Sequence, residues 1–81
     1  MGDNGLTFAA RVERAGGDKS KFFRAYVEVF KPGGGGFLLC EFGSVAEVIE
    51  TVARKGERYG LDYDDVRLEL EGSYAELGEA I

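Results

Sequence analysis

The hydrophobic pattern of the chain begins as a simple alternation. Between Leu6 and Glu13 the odd and even positions separate, with apolar side chains on one side at Leu6, Phe8, Ala10 and Val12. A period of two is typical of a strand that buries one face, so we predict a first strand here. Residues 1–5 precede the pattern, and we expect them to form a loose N-terminus.

Two further strands are predicted from the next thirty residues or so. Phe22–Lys31 is rich in aromatic and β-branched residues, which favour a pleated strand. Pro32 and the four glycines Gly33–Gly36 must interrupt it, because proline cannot donate a backbone hydrogen bond and a glycine run is too flexible. The apolar segment Phe37–Phe42 then predicts a third strand. Short connections between sequential strands indicate an antiparallel arrangement.

A helix over residues 45–59 follows from a change in hydrophobic period. Its apolar residues recur at spacings of three, four, seven and eight, which is typical of a helix with one buried stripe: Val45, Val48, Ile49, Val52, Ala53 and Tyr59. Ser44 and Glu47 have the spacing of a capping box, and Gly60 is suited to ending the helix. Glu50 and Arg54 are spaced for an i,i+4 ion pair.

After that helix the pattern returns to alternation. Val66, Leu68 and Leu70 alternate with charged residues and predict a fourth strand, preceded by a loop at Asp62–Asp65. Ser73 and Glu76 repeat the capping-box spacing, which predicts a short terminal helix. The expected fold is therefore α+β, with an antiparallel sheet of about four strands in the order β-β-β-α-β-α and one main helix packed on one face. Residues 1–81 are expected to form a single domain.

Composition limits the chemistry available to the chain. It has no histidine and a single cysteine, Cys40, so the commonest general base and metal ligand is lacking and no internal disulfide can form. We expect no catalytic residue, no metal site and no cofactor. A lone cysteine also fits a reducing compartment, so we expect a cytoplasmic protein. No apolar run approaches the length needed to cross a bilayer, and we expect no membrane partner.

Three motifs suggest chemistry that their surroundings do not support. Gly33–Gly36 leads into a strand and not into a helix, so we interpret it as a hairpin loop and not a phosphate-binding loop. Asp62–Asp65 lacks the glycine turn and the distal glutamate of a calcium loop. Cys40 has no adjacent basic residue that would stabilise a thiolate, and we expect a buried, inert thiol.

Charge is distributed unevenly along this acidic chain. The net charge is −5, yet residues 1–31 contain six Lys/Arg against four acids, whereas residues 32–81 contain four against eleven. The acidity disfavours nucleic acid as a partner, although the first third would tolerate it. The simplest interpretation of the negative net charge is that it keeps the protein soluble.

The second strand carries more aromatic residues than one buried face requires. If Phe23, Ala25, Val27 and Val29 are buried, alternation turns the other set outward: Phe22, Arg24, Tyr26, Glu28 and Phe30. Arg11 lies on the matching side of the first strand. Three alternatives remain open: a C-terminal segment covers these aromatics through Tyr74, Leu77 and Ile81, or they form a protein-contact surface, or they stack bases beside the arginines.

We predict the second of these alternatives. The expected function is a small non-enzymatic protein-interaction or regulatory domain that forms a homodimer or binds another protein. The predicted interaction surface consists of Phe22, Arg24, Tyr26, Phe30 and Arg11. Single-stranded nucleic-acid binding through the outer face of the first two strands is the alternative function.

Overall fold

The computed structural model describes residues 7–17 and 19–78. Three antiparallel strands form one sheet in the order β1-β2-β3 and are followed by two helices: β1 (Thr7–Ala15), β2 (Phe22–Phe30), β3 (Gly36–Gly43), α1 (Val45–Glu57) and α2 (Tyr63–Glu76). The α+β class and the antiparallel sheet are confirmed. The predicted loose N-terminus at residues 1–5, and Leu6, lie outside the described residues. Within the described part of the chain, neither helix is long and apolar enough to cross a membrane.

The β2–β3 hairpin depends on the glycine run. Gly33, Gly34 and Gly35 all have positive φ angles, of 82°, 102° and 82°, which other residues rarely adopt. The hairpin is closed where the Lys31 N–H donates to the carbonyl oxygen of Gly35 over 3.2 Å. Gly36 is required for a different reason, since a Cβ atom there would lie 2.1 Å from the carbonyl oxygen of Val29.

Both helices cover the same face of the sheet, which we call the inner face. α1 lies across β2 and β3, and α2 lies against β1. The predicted inner residues of β2 are confirmed as core, with exposed fractions of 4% at Phe23 and 0% at Ala25, Val27 and Val29. The predicted α1 stripe is also buried, including Val48, Ile49 and Val52.

The start of α1 is correct in position but differs in its hydrogen bonding. Ser44 occupies the N-cap, yet its hydroxyl donates to Glu47 Oε1 (2.8 Å) instead of accepting a backbone N–H. The helix ends at Glu57, two residues before the predicted end, so Tyr59 lies beyond it. Gly60 has a φ of 95°, as expected of a residue that ends a helix.

The predicted fourth strand is wrong, because residues 63–76 form α2. Val66, Leu70 and Tyr74 are buried at helical spacing, whereas Leu68 is 58% exposed. Val66 and Leu70 satisfy both a period of two and an i,i+4 pattern, so only Leu68 favoured a strand. The sheet therefore has three strands and not about four, and two helices instead of one main helix cover it.

Two further predictions are wrong because residues 63–76 form a helix. The predicted loop at Asp62–Asp65 is wrong, because Asp62 is the N-cap of α2 and its side chain accepts from the Asp65 N–H over 3.1 Å. Asp64 and Asp65 form the acidic first turn, which the helix dipole favours. The predicted cap at Ser73 is also wrong, because Ser73 lies inside α2 and its hydroxyl accepts from the Val12 N–H over 2.9 Å.

Candidate functional site

The candidate site is the face of the sheet opposite the helices, which we call the outer face. Strand register places alternate residues of each strand there: Thr7, Ala9, Arg11, Glu13 and Ala15; Phe22, Arg24, Tyr26, Glu28 and Phe30; Gly36, Leu38, Cys40 and Phe42. All five residues of the predicted interaction surface are in this set. Arg11 is the cross-strand partner of Tyr26, so the prediction brought together residues that are adjacent in the structure.

Four large apolar side chains of the outer face are exposed. The exposed fractions are 53% for Phe22, 43% for Phe30 and 60% each for Leu38 and Phe42. Monomeric domains seldom leave several large apolar groups together in water without a function for them. The outer face is therefore a candidate contact surface.

Leu38 and Phe42 were missed by the sequence analysis. β3 is apolar along nearly its whole length, so it has no clear alternation, and Glu41 suggests that the odd positions face solvent. Glu41 in fact faces inward, where Lys55 of α1 neutralises it. The register of the hairpin was the useful signal, because pairing Lys31 with Gly35 places Leu38 opposite Glu28 on the outer face.

Two of the exposed aromatic residues contact each other across the sheet. The rings of Phe22 and Phe42 are stacked, with centroids 5.6 Å apart and planes at 19°. Offset stacking of this kind orients both rings and leaves their outer surfaces open. They form an apolar area at the end of the sheet where β2 begins and β3 ends.

A polar network occupies the part of the outer face formed by β1 and β2. The Tyr26 hydroxyl donates to Glu13 Oε1 (3.0 Å), and Arg11 Nε lies 3.5 Å from Glu13 Oε2. Arg24 lies next to this network, and its hydrogen bond with Tyr26 raises the pKa of the guanidinium group. Arg24 therefore stays protonated at any pH at which the protein would be studied.

Small residues leave a shallow depression in the outer face. Its volume is about 400 Å³, and it is lined by Ala9, Ala10, Arg11, Tyr26, Glu28 and Leu38. The alanine at position 9 leaves space beside the Tyr26 ring and the Leu38 side chain. A side chain from a partner could enter this depression, with Arg11 and Glu28 at its rim.

The alternative in which the C-terminal segment covers the outer aromatics is wrong for Tyr74. Its ring packs edge-on against Phe23 on the inner face, with centroids 5.2 Å apart. Leu77 is 43% exposed and lies at the end of α2, and Ile81 is outside the described residues. Among the described residues, nothing from α2 shields Phe22, Tyr26 or Phe30.

Cys40 is exposed on the outer face, so the prediction of a buried thiol is wrong. Its strand partner is Tyr26, and it lies midway along β3, at the margin of the face. Elsewhere in residues 7–17 and 19–78, no group of three or more acidic, cysteine or histidine side chains is arranged as a metal site.

Known proteins add nothing to this description. The chain has no significant match to a protein-family model, a curated protein or a solved structure. The function must therefore be inferred from the geometry and charge of the outer face.

The charge of the outer face differs from that of the whole chain. It carries two basic residues, Arg11 and Arg24, and two acidic ones, Glu13 and Glu28, so it is neutral. The acidity lies instead on the opposite side, where α2 has five carboxylates against Arg67 alone. A second copy could approach the outer face without the repulsion that the net charge suggests.

Proposed function

We propose that the chain is a small non-enzymatic protein-interaction domain that associates with a second copy of itself through the outer face. The observation that carries this proposal is the exposure of Phe22, Phe30, Leu38 and Phe42 on one neutral surface. Such a surface acts by burying apolar area, and it needs neither a nucleophile nor a bound cofactor.

The size of the domain supports self-association. A chain of 81 residues buries a smaller fraction of its surface than larger domains do, so its stability is limited. Covering exposed aromatic and leucine side chains would add apolar burial at about 25 cal/mol per Å². A dimer would gain stability as well as specificity from that burial.

Charge complementarity also supports a second copy as the partner. The outer face presents arginine and glutamate in equal number, with Arg24 and Glu28 alternating along β2. A two-fold axis would allow an arginine of one copy to approach a glutamate of the other. An acidic or a basic partner would match only half of these charges.

Single-stranded nucleic acid is the alternative ligand. The stacked rings of Phe22 and Phe42 beside Arg24 are the feature that favours it, because bases stack on aromatic rings next to arginines. Glu13 and Glu28 on the same face weigh against it, since they would repel phosphates. The two functions differ in their dependence on salt and on Arg24.

Sedimentation equilibrium from micromolar to millimolar concentration tests the proposal. We expect wild type to reach twice its monomer mass of 8.8 kDa. Leu38→Glu should remain monomeric, because it places a charge among the exposed apolar side chains of the outer face. Leu68→Glu is the matched control: Leu68 is 58% exposed, compared with 60% for Leu38, but lies on α2, so this variant should dimerise like wild type.

A monomer at every concentration would contradict self-association. If that monomer bound a single-stranded oligonucleotide, with an affinity that fell steeply with salt and was lost in Arg24→Ala, the nucleic-acid function would replace it. If Leu38→Glu and Leu68→Glu weakened the dimer equally, the outer face would not be the contact surface.

A further inference from the structure

The two edges of the sheet differ in a way that bears on how a dimer forms. β1 has Arg11, Glu13 and Arg14 along its length, and α2 lies against it. β3 has Glu41 as its single charged residue and no proline. Long apolar edge strands of this kind tend to pair with another strand, whereas charged or covered edges resist pairing.

The direction of the backbone groups of β3 follows from its hydrogen bonds. The Lys31 N–H donates to Gly35, and bonded pairs alternate along an antiparallel ladder, so residues 37, 39 and 41 turn their backbone groups toward β2. Leu38, Cys40 and Phe42 therefore direct their N–H and C=O groups to the open edge. Among the described residues, no strand pairs with that edge.

The hydrogen bonding at the β1 edge leads to the same backbone directions in β3. The Val12 N–H points away from β2 and donates to the Ser73 hydroxyl of α2 over 2.9 Å. The register Val12–Ala25–Glu41 then turns the Glu41 backbone toward β2 and its neighbours outward. At the β1 edge a side chain of the same protein thus occupies one backbone group, whereas no strand within residues 7–17 and 19–78 pairs with the β3 edge.

We infer that the edge of β3 pairs antiparallel with β3 of a second copy, placing Cys40 opposite Cys40 and Leu38 opposite Phe42, in a continuous six-stranded sheet. This inference rests on the proposed self-association and restricts the contact to the β3 margin of the outer face. Leu38 and Phe42 would be covered there, whereas Phe22 and Phe30 on the central strand would remain exposed on the joined surface. The N–H groups of Leu38, Cys40 and Phe42 would each donate to a carbonyl of the partner copy. The outer faces of the two copies would join into one surface.

The register is self-complementary on the outer face. Leu38 and Phe42, both 60% exposed, would meet as direct cross-strand neighbours on each side of the two-fold axis. A shift that placed Glu41 opposite Glu41 would oppose like charges. In the inferred register Glu41 lies opposite Leu39, and Lys55 neutralises each Glu41 within its own chain.

The charges of the helices favour pairing at this edge. A two-fold axis perpendicular to the sheet makes the two copies of α1 antiparallel, so Glu47 in the first turn of one lies toward Arg54 and Lys55 in the last turn of the other. The strongly acidic α2 helices lie at opposite ends of the extended sheet. Pairing through β1 would instead bring these two acidic helices together.

Amide hydrogen exchange of wild type tests the edge pairing without any substitution. In a dilute monomer we expect fast exchange at Leu38, Cys40 and Phe42, and slow exchange at Leu39 and Glu41, which are bonded to β2. At concentrations where the mass has doubled, the first three amides should slow by at least about tenfold, as expected for newly bonded groups. A dimer in which they stay fast would overturn edge pairing and leave association through the outer face standing. A chain that never dimerises would overturn both.

The strand register can be tested separately in a dimer formed from one isotope-labelled and one unlabelled copy. Four residues along one strand span about 13 Å, too far for a nuclear Overhauser effect within one chain. A Leu38–Phe42 effect in an isotope-filtered experiment must therefore come from two copies, and we expect to observe it. Its absence in a dimer with slowed edge amides would overturn the stated register.

A substitution at the centre of the edge provides an independent test. Cys40→Pro removes an N–H that β2 does not use, so proline is tolerable on this edge but blocks the pairing. We expect it to be monomeric, whereas Cys40→Ala, which keeps the N–H, should dimerise. A Cys40→Pro protein with the mass and affinity of the wild-type dimer would overturn the inference.

Discussion

The hydroxyl of Ser73 accepts a hydrogen bond from the backbone N–H of Val12, 61 residues away in the sequence. This bond joins α2 to the edge of β1, where Val12 is almost completely buried. An edge strand usually leaves such groups to water or to another strand. Here a side chain of the same protein occupies one of them.

Ser73→Ala should therefore destabilise the fold. The Val12 N–H would lose its partner in a buried position, which costs about 1–3 kcal/mol. We expect a lower urea midpoint and faster exchange of the Val12 amide. Ser73→Thr keeps the hydroxyl and is the control. Unchanged exchange at Val12 in Ser73→Ala would contradict the role of this bond.

Leu70→Ala and Leu68→Ala form a matched pair that tests α2. Leu70 is fully buried and Leu68 is 58% exposed, although both would share one face of a strand. We expect Leu70→Ala to lower the free energy of unfolding by about 2–5 kcal/mol. Leu68→Ala should change it by less than about 0.5 kcal/mol, as surface substitutions usually do. Equal losses, measured by urea denaturation, would fit a strand instead.

Two glycines should respond to alanine in opposite directions. Gly36→Ala would place a Cβ atom 2.1 Å from the Val29 carbonyl oxygen, so the hairpin must shift at a cost of about 1–3 kcal/mol. Gly72 lies inside α2 with open space around its Cβ direction and no positive φ. Gly72→Ala should stabilise the protein by about 0.5–1 kcal/mol. Thermal unfolding of both variants checks the signs, and a more stable Gly36→Ala would contradict the close approach.

Tyr63→Phe should change the acid titration of Glu50. The Tyr63 hydroxyl donates to Glu50 Oε1, and this bond together with Arg54 lowers the pKa of the carboxyl group. Because that pKa is lower in the folded state, the stabilisation is present above the unfolded pKa and is lost as pH falls through the folded pKa. Removing the hydroxyl should raise the pKa of Glu50 and reduce this acid dependence.

Carbon-detected titration of the Glu50 carboxyl group measures that effect directly. Tyr59→Phe is the matched control, since the Tyr59 ring packs against Phe37 and not against Glu50. The Glu50 pKa should stay depressed in this control. An equal rise in both variants would show that the Tyr63 bond is not the cause.

Much of the sheet and all of α1 could be predicted from local patterns. Alternation in β1 and β2 separated the inner from the outer residues, because a strand turns successive side chains to opposite faces. The stripe of Val48, Ile49 and Val52 identified α1 and its buried side. These patterns depend only on the geometry of a single element, which is why they can be recognised without knowledge of the neighbours.

The residues of the outer face were partly recognisable for the same reason. Phe22, Tyr26 and Phe30 could be assigned to the outer face because they alternate with a second set of apolar residues that faces the helices. Leu38 and Phe42 could not, because β3 is apolar on both faces and its one charged residue points inward to Lys55. Only the pairing of β3 with β2 decides which of its side chains are exposed.

The chain pattern alone left the identity of α2 ambiguous, and packing resolved it. Val66 and Leu70 fit a strand and a helix equally well. They are four residues apart, and this spacing places two side chains on the same face of either element. As a helix, the segment buries Val66, Leu70 and Tyr74 together beside β1 and aligns Ser73 with the Val12 N–H. A fourth strand would bury Leu68 but lose those contacts. The tertiary structure therefore decided which residues close one edge of the sheet and, through that, which edge remains open.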